Sequence, residues 1–300
     1  MKAPSTKAVI RPKQKRRRPA STSIRRNAAG TARSTGRKPA GRQPQRLLRG
    51  LRGSLSVIIS ARNEARTLPP LLKQVMRLHP QEIIVVLNGC TDNSFERTRL
   101  CPQAMIVHCP ETAGHDVGRA LGAKLSRGDI LLFLDGDMVI SASQLAGFAA
   151  AVDGGVDVAL NDLDHLLPPF GLSDDVTRCK LYLNAVLGRS DLGVSSMTAV
   201  PHALSRRALE VIGYRELMVP PKAQAISLMK QLRVEKAGTV NVFKQNRLRQ
   251  GNTGAGNRVE QLIAGDHAEA LLEVLAQRRM HSVESLQEQR RQLAAWRNGI

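Results

Sequence analysis

The chain has 300 residues and a formal net charge of +20, from 45 Lys and Arg against 25 Asp and Glu. This excess suggests a nucleic-acid-binding protein, but residues 1–52 hold 17 of the basic residues and no acidic one, so the remainder is close to neutral. Nucleic acid is therefore not expected as the main substrate. No apolar run reaches the ~18 residues of a membrane-spanning helix, and with one Trp, two Tyr and five Phe the core must be mostly aliphatic.

Residues 1–52 form a basic segment rich in Pro, Ser, Thr and Gly, which predicts a disordered tail. Its run Lys15–Arg18 suits contact with an anionic membrane, a cell-wall polymer or another polyanion. A solvated tail with no single partner and a targeting peptide are the alternatives. Because no apolar stretch follows Met1, a secretory signal is not expected. We predict a cytoplasmic protein that the tail can hold near the inner membrane surface.

Strands and helices alternate along the rest of the chain. Apolar runs predict buried strands at residues 55–60, 82–87, 105–107, 130–134 and 156–160. Helical spacing predicts helices at 68–76, 117–125 and 143–152 between them, then at 174–187, 205–212, 222–234, 259–277 and 283–296. One further strand is predicted at 239–242. Such alternation is typical of an α/β protein with a mostly parallel sheet and right-handed crossovers.

The four cysteines lack the close paired spacing of a zinc site. They are expected to be free thiols in a reducing compartment.

Polar residues follow three of the predicted strands, where ligands of parallel sheets bind. The first strand leads into Ala61–Glu64, the second into Asn88–Ser94, and the run 130–134 into Asp135, Gly136 and Asp137. Two carboxylates so close would repel each other unless a cation neutralised them. A divalent ion that carries a substrate phosphate is the simplest such cation. A turn followed by a helix N-cap is the alternative.

Four motifs in this order resemble a known enzyme family. They are residues 56–64, 88–92, 118–122 and 135–137, and together they resemble the opening strand, the second-strand turn, the Arg-x-x-Gly helix and the Asp-x-Asp signature of family-2 glycosyltransferases. The resemblance implies a GT-A (Rossmann-like) fold over residues 53–300. It also implies a nucleotide-binding half at about 53–140 and an acceptor half at about 141–300.

The resemblance implies roles for particular residues. Asp137 and Asp135 would hold Mg²⁺ or Mn²⁺ against the diphosphate of a nucleotide sugar, and Asp135 could instead bind the ribose. Arg119 would contact the nucleotide or diphosphate, or else be an exposed helical arginine. Nucleotide-sugar binding is thus implied for Ala61, Asn63, Glu64, Asn88, Asp92, Arg119 and Asp135.

The sequence departs from the family pattern at two places. Asn88 stands where a carboxylate is usual, and because an amide both donates and accepts, the donor base is left open. Residues 218–223 contain no acid, although inverting members usually carry their catalytic base there. Another acid could serve, the enzyme could retain anomeric configuration, or activity could be lost. The nearest acids in sequence are Glu216, Asp162 and Asp164.

Residues beyond 240 offer further candidates. His267 could supply a third metal ligand, as a C-terminal histidine does in some retaining GT-A enzymes. Asp266 is expected to cap a helix that starts at Ala268. Lys244, Arg247 and Arg249 could close over the diphosphate or be solvated.

The predicted function is metal-dependent transfer of a sugar from a nucleotide-diphosphate sugar to a glycan, lipid or small-molecule acceptor. A catalytically silent scaffold that binds nucleotide sugars or polyanions is the alternative. A nucleotidyltransferase would normally carry a Gly-rich loop after the first strand, whereas residues 60–66 contain no glycine.

Overall fold

The structure is a computed structural model that describes residues 50–167, 173–242, 258–279 and 283–299. All of these lie in one compact unit, Arg42–Ile300. Two predictions fall outside the described residues. One is the disorder of the basic segment up to residue 49, and the other is the polar loop that carries Lys244, Arg247 and Arg249.

Seven strands form one sheet. They are Leu55–Ala61 (β1), Glu82–Asn88 (β2), Ala104–Cys109 (β3), Ile130–Asp135 (β4), Val158–Asn161 (β5), His202–Ser205 (β6) and Val234–Gly238 (β7). The helices are Leu68–Met76 (α1), Ser94–Arg99 (α2), Val117–Leu125 (α3), Ala142–Asp153 (α4), Asp175–Val186 (α5), Arg206–Ile212 (α6), Pro220–Met229 (α7), Arg258–Arg279 (α8) and Val283–Arg297 (α9). Short 3-10 helices include Asp164–Leu166, Ser190–Leu192 and Tyr214–Met218.

The strand order is β3-β2-β1-β4-β6-β5-β7. The first four are mutually parallel, β6 runs antiparallel to both β4 and β5, and β5 is parallel to β7. β5 therefore points the same way as β4, and their carboxyl ends lie at the same edge of the sheet. The predicted α/β class, with a mostly parallel sheet and a helical C-terminal region, is confirmed.

Both faces of the sheet are covered, which explains the uninterrupted apolar runs. Ile59 of β1 and Leu132 of β4 pack into a core on one face. Ile58 and Leu131 pack into a second core on the other face. Helix α3 lies directly on β1 because two of its residues are glycines. A Cβ at Gly118 would clash with the Ser60 side chain, and one at Gly122 would clash with that of Ile58.

Several elements differ from the sequence-based predictions. Helix α7 ends at Met229 rather than 234, and β7 covers Val234–Gly238 rather than residues 239–242. Among the strands that the structure describes, β7 pairs only with β5, and an edge strand can carry charged residues, so the apolar-run criterion passed over it. The short elements α2 and β6 were not predicted. Leu51 packs against the core, and Arg52 donates its backbone N–H to Asp153 at 2.9 Å.

None of the described helices is both long and apolar enough to cross a membrane. All four cysteines, Cys90, Cys101, Cys109 and Cys179, are free thiols.

Candidate active site

The carboxyl ends of β1, β2 and β4 meet at one cleft of about 510 Å³, a size that suits a small-molecule ligand. Register places Ser60 opposite Asp135 and Ala61 opposite Leu87. Of the predicted site residues, six line this cleft: Ala61, Glu64, Asn88, Arg119, Asp135 and Asp137. The strand ends that the sequence argument selected therefore lie at one cleft, and the binding roles of these residues stay predictions.

Gly136 allows the ends of β1 and β4 to approach each other closely. A Cβ on this residue would lie 2.6 Å from the Cβ of Ala61 and 3.2 Å from Cδ2 of Leu68. The Gly136 N–H donates to the Ser60 carbonyl at 2.8 Å, which extends the pairing between the strands. Gly136, which lies between the two aspartates, thus allows their strand end to lie close to the loop after β1.

Arg119 is buried beside these carboxylates, with only 5% of its surface exposed. Its guanidinium forms an ion pair with Asp116 at 2.9 Å and one with Asp135 at 3.3 Å. Burial lowers the pKa of Arg119, but the charges of Asp116 and Asp135 outweigh that effect and leave the pKa raised. The exposed-arginine alternative is therefore wrong. The protein supplies part of the positive charge that the sequence argument assigned to a metal ion.

Asn88 uses its side-chain amide to hold the loop between β3 and α3. Its Nδ2 donates to the Gly114 carbonyl at 2.6 Å, and its Oδ1 accepts from the Ala113 N–H at 2.8 Å. The residue is also buried. Asn88 thereby shapes the cleft wall through this loop, whereas the sequence argument offered its amide to a nucleotide base.

Asn63 and Asp92 are not among the residues that line the cleft, and they join the loops after β1 and β2 instead. Asn63 accepts from the Thr91 N–H at 2.8 Å, and Asp92 accepts from the Ala65 N–H at 3.1 Å. Burial raises the pKa of Asp92, but hydrogen bonds from Ser94 and Ala65 outweigh it and leave the pKa lowered. These two residues fix the position of the loop that carries Glu64.

The three acids proposed as alternative bases lie away from the lining of the cleft. Lys222 forms ion pairs with Glu216 at 3.1 Å and with Glu269 at 3.2 Å. Lys236 forms ion pairs with Asp162, at 3.8 Å, and with Asp164. The latter two acids follow β5 at the same sheet edge as the cleft, but β6 separates β5 from β4.

Helix α8 passes through Asp266 and His267 without interruption, so the predicted capping role of Asp266 is wrong. Gly265, which suggested a break, lies within the helix with open space around it. Burial, followed by the charges of Asp116 and Glu269, raises the pKa of Asp266 to about 6. Because Asp116 lines the cleft, its charge links the pKa of Asp266 to the electrostatics of the cleft.

His267 is 2% exposed, and its Nδ1 lies 2.7 Å from the Ile263 carbonyl. Assigning the ring proton to Nδ1 from that contact leaves the lone pair on Nε2, which has no hydrogen-bond partner among the described residues. Burial lowers the pKa of His267 to about 4. His267 is not among the residues that line the cleft, and the described residues contain no group of three His, Cys, Asp or Glu placed to hold a metal.

Sequence reasoning missed one wall of the cleft, the loop after β3. Its lining residues are Thr112, Gly114, His115 and Asp116. The available signal was the end of the predicted third strand, to which the strand-end rule applies equally. Val259 of α8 also lines the cleft, and nothing local in the sequence indicates that contact.

Part of the chain matches the model of a known protein family. Residues 56–165 match the model described as Glycosyl transferase family 2. No curated protein matches the chain. Among solved structures, glucosyl-3-phosphoglycerate synthase from Mycobacterium tuberculosis with Mn²⁺, UDP and glucosyl-3-phosphoglycerate is 18% identical, covering 77% of this chain and 82% of that one, with a TM-score of 0.55.

Two further structures of that enzyme give similar values. The complex with Mg²⁺ and UDP is 16% identical and covers 77% of this chain and 81% of that one, with a TM-score of 0.54. The complex with Mn²⁺, UDP-glucose and phosphoglyceric acid is 18% identical and covers 80% and 86%, with a TM-score of 0.55. At these identities the likeness concerns the fold, and the predicted GT-A fold is confirmed.

Proposed function

We propose that this chain, whose residues 56–165 match the model of glycosyl transferase family 2, transfers a sugar from a nucleotide-diphosphate sugar to an acceptor hydroxyl with Mg²⁺ or Mn²⁺. The observation that carries the proposal is the cleft where β1, β2 and β4 end, with Asp135, Asp137 and the buried Arg119 in its wall. The solved structures of similar fold that contain UDP together with Mn²⁺ or Mg²⁺ support the same ligand class.

The donor set at the cleft fits a hard divalent cation. Asp135 and Asp137 offer carboxylate oxygens, which Mg²⁺ and Mn²⁺ prefer. Mg²⁺ is commonly held by one or two carboxylates together with substrate phosphates, so a complete protein cage is not required. Asp137 would be the principal ligand, since Asp135 shares its carboxylate with Arg119. When bound, the ion would supply positive charge to the diphosphate.

The residues of the chain itself would bind and orient the donor. Arg119 contributes a fixed positive charge close to the place where negative charge grows as the diphosphate departs. The loop held by Asn88 and the loop held by Asn63 and Asp92 both contribute residues to the cleft, and both would contact the nucleotide. Because both loops are tied by hydrogen bonds before ligand arrives, little ordering remains to be done on binding.

We propose a small anionic molecule as the class of acceptor. Lys180 of α5 has its pKa lowered to about 8 by burial, with the charge of Arg119 adding to the effect and that of Asp174 opposing it. Because the charge of Arg119, in the cleft wall, acts on Lys180, the two cations together would favour an anionic acceptor. One solved structure of similar fold contains both phosphoglyceric acid and UDP-glucose.

Titration calorimetry with UDP- and GDP-sugars in the presence of Mn²⁺ tests the donor site. We expect binding in the wild type and none in Asp137→Ala. Asp175→Ala, which alters an exposed aspartate paired with Arg178, should bind like the wild type. Equal affinity of Asp137→Ala and the wild type would contradict the site assignment.

A scaffold that binds nucleotide sugars without transferring them is the second candidate. The observation in its favour is Lys222, which lies in the segment where the resemblance places a catalytic base and is bound to Glu216. Release of nucleoside diphosphate from a bound donor separates the two candidates. Slow hydrolysis that depends on Mn²⁺ supports the transferase, whereas tight binding without any release over many hours supports the scaffold.

The basic segment, residues 1–52, is proposed to bind an anionic membrane or polymer. Vesicles that contain phosphatidylglycerol should retain the full chain, and added salt should release it. Deletion of residues 1–49, which keeps the contacts of Leu51 and Arg52 with the fold, should abolish retention and leave donor binding unchanged. Retention of the truncated chain would contradict this role.

A further inference from the structure

The loop between the Ser190–Leu192 helix and β6 supplies a backbone contact to Arg119. The Arg119 Nη1 donates to the Met197 carbonyl at 3.4 Å, while the same guanidinium pairs with Asp116 and Asp135. These contacts approach the side chain from different elements. The place of Met197 therefore helps to determine where the guanidinium lies, and so where the carboxylate of Asp135 is held.

Two buried amide side chains hold that loop in turn. Gln224 of α7 accepts from the Met197 N–H at 2.8 Å, and its Nε2 donates to Asn184 Oδ1 at 2.6 Å and to the Ser195 carbonyl at 3.3 Å. Asn184 of α5 donates to the carbonyls of Gly193 and Ser195 at 2.8 and 3.2 Å. Each of the two amides is only 1% exposed.

Every polar group of this amide pair has a partner, which makes the network costly to break. A buried donor or acceptor that loses its partner costs ~1–3 kcal/mol, so the two amides strongly favour one loop position. The hydrogen bonds run from Gln224 to the backbone of Met197, and from there to Arg119 and Asp135. Gln224, Met197 and Arg119 are distant in sequence, and their hydrogen bonds thus lead to one carboxylate of the cleft, that of Asp135.

We infer that Gln224, together with Asn184, is a positioning residue for the donor site, acting through Met197 and Arg119 on Asp135. The inference rests on the proposed function, since it concerns the affinity for a metal-bound nucleoside diphosphate. Helix α7 thereby contributes to the site through the hydrogen bond between Gln224 and Met197, and not through a catalytic carboxylate. Gln224 itself touches neither donor nor metal in this scheme.

The test measures the dissociation constant of UDP with Mn²⁺ for the full chain, at a temperature where every variant is folded by circular dichroism. Gln224→Leu should raise it ~10-fold, the lower end of the effect usual for residues that orient metal-binding groups. Ser227→Ala is the matched control. Ser227 is fully buried on the same helix and donates to the Ala223 carbonyl, so its loss lowers stability without reaching the loop.

A double-mutant cycle separates positioning from general destabilisation. If Gln224 acts through Arg119, then Gln224→Leu should change the constant less than about 2-fold when Arg119→Gln is already present. Gln224→Glu keeps the acceptor for the Met197 N–H but loses the donor to Asn184 Oδ1 and to the Ser195 carbonyl, so it too should raise the constant. This second variant serves also if Gln224→Leu does not fold, with Gln224→Glu then expected to lie between Ser227→Ala and Arg119→Gln.

The outcomes are distinguishable. A wild type that does not bind UDP with Mn²⁺ overturns the proposed function and this inference together. Wild-type binding that Gln224→Leu and Gln224→Glu leave unchanged overturns the inference alone. Equal effects of Gln224→Leu in the presence and absence of Arg119→Gln also overturn it, because the substitution would then act by another route.

Discussion

Gly136→Ala should weaken both the fold and the donor site, because the new methyl group has no room. Its Cβ would lie 2.6 Å from the Cβ of Ala61, whereas carbon atoms in ordinary contact are about 3.5–4.0 Å apart. The ends of β1 and β4 must therefore separate by about 1 Å. Overpacking of this kind costs ~1–3 kcal/mol. A loss of 2 kcal/mol is about a 30-fold change in the folding equilibrium.

Urea denaturation and Mn²⁺-dependent UDP binding would measure the two consequences. Ala61→Gly in the same chain should restore most of both losses, because the next contact of the new methyl is the flexible end of Leu68 at 3.2 Å. Gly147→Ala in helix α4 is the control, since the nearest atom to its new methyl group would be the Ala237 carbonyl oxygen at 3.8 Å. It should stabilise by ~0.5–1 kcal/mol.

The reasoning would be refuted if Gly136→Ala kept the wild-type urea midpoint and affinity. It would also fail if Ala61→Gly gave no rescue, because the clash would then not be the cause. A loss of affinity with unchanged stability would place the role of Gly136 in ligand contact rather than in strand packing.

Three further predictions concern ionisation and helix α8. Burial, with the charge of Arg119 adding to it, lowers the pKa of His202 to about 3. The contribution of neutral His202 to stability is therefore present above the unfolded pKa of about 6.5 and is lost as pH falls toward 3. His202→Met should flatten that loss, by up to about 1.4 kcal/mol per pH unit in urea titrations. Asp266 has the opposite sign. Its pKa is raised to about 6, so stability is lost as pH rises through 6. Asp266→Asn should therefore stabilise the fold at about pH 8 and have no effect at about pH 3. The gain should be at most about 1 kcal/mol because solvent screens this half-exposed group. Gly265→Ala should raise the melting temperature of the chain, with a gain of ~0.5–1 kcal/mol, since the site is helical and open.

The sequence predicted the strands that are buried on both faces, and it failed at the sheet edge. β1, β2 and β4 each contain a buried apolar run because both faces of the sheet are covered. β7 carries Glu235 and Lys236, which an edge position tolerates, so apolar content pointed to the segment after it. Val240, the buried residue of that segment, pairs its N–H with the Asn161 side chain rather than with a strand.

In the candidate site, too, some residues could be predicted from the sequence and others could not. Asp135 and Asp137 could be found because their place depends only on the end of one strand. The pairing of Arg119 with Met197 spans 78 residues and leaves no local pattern. The same limit applies to Asn88, whose type suggested a ligand for a base but whose partners lie in a loop 25 and 26 residues further on. The residue type shows which hydrogen bonds a side chain can form, and only the fold shows which partner forms them.

The state of Lys222 limits the route that transfer can take. The hydrogen bond that Lys222 donates to Glu216 raises the pKa of Lys222, so the ammonium stays charged through neutral pH and cannot accept a proton. The acceptor proton must then pass to a carboxylate in the cleft or to the departing diphosphate oxygen. The carboxylates that line the cleft have other partners, since Asp116 and Asp135 pair with Arg119, Glu64 accepts from Thr67, and Asp137 is the proposed metal ligand. Transfer to the diphosphate oxygen requires attack from the same face of the sugar, so we expect retention of anomeric configuration, determined by NMR of the product, and an unchanged rate for Lys222→Met. An inverted product would show that a carboxylate takes the proton instead.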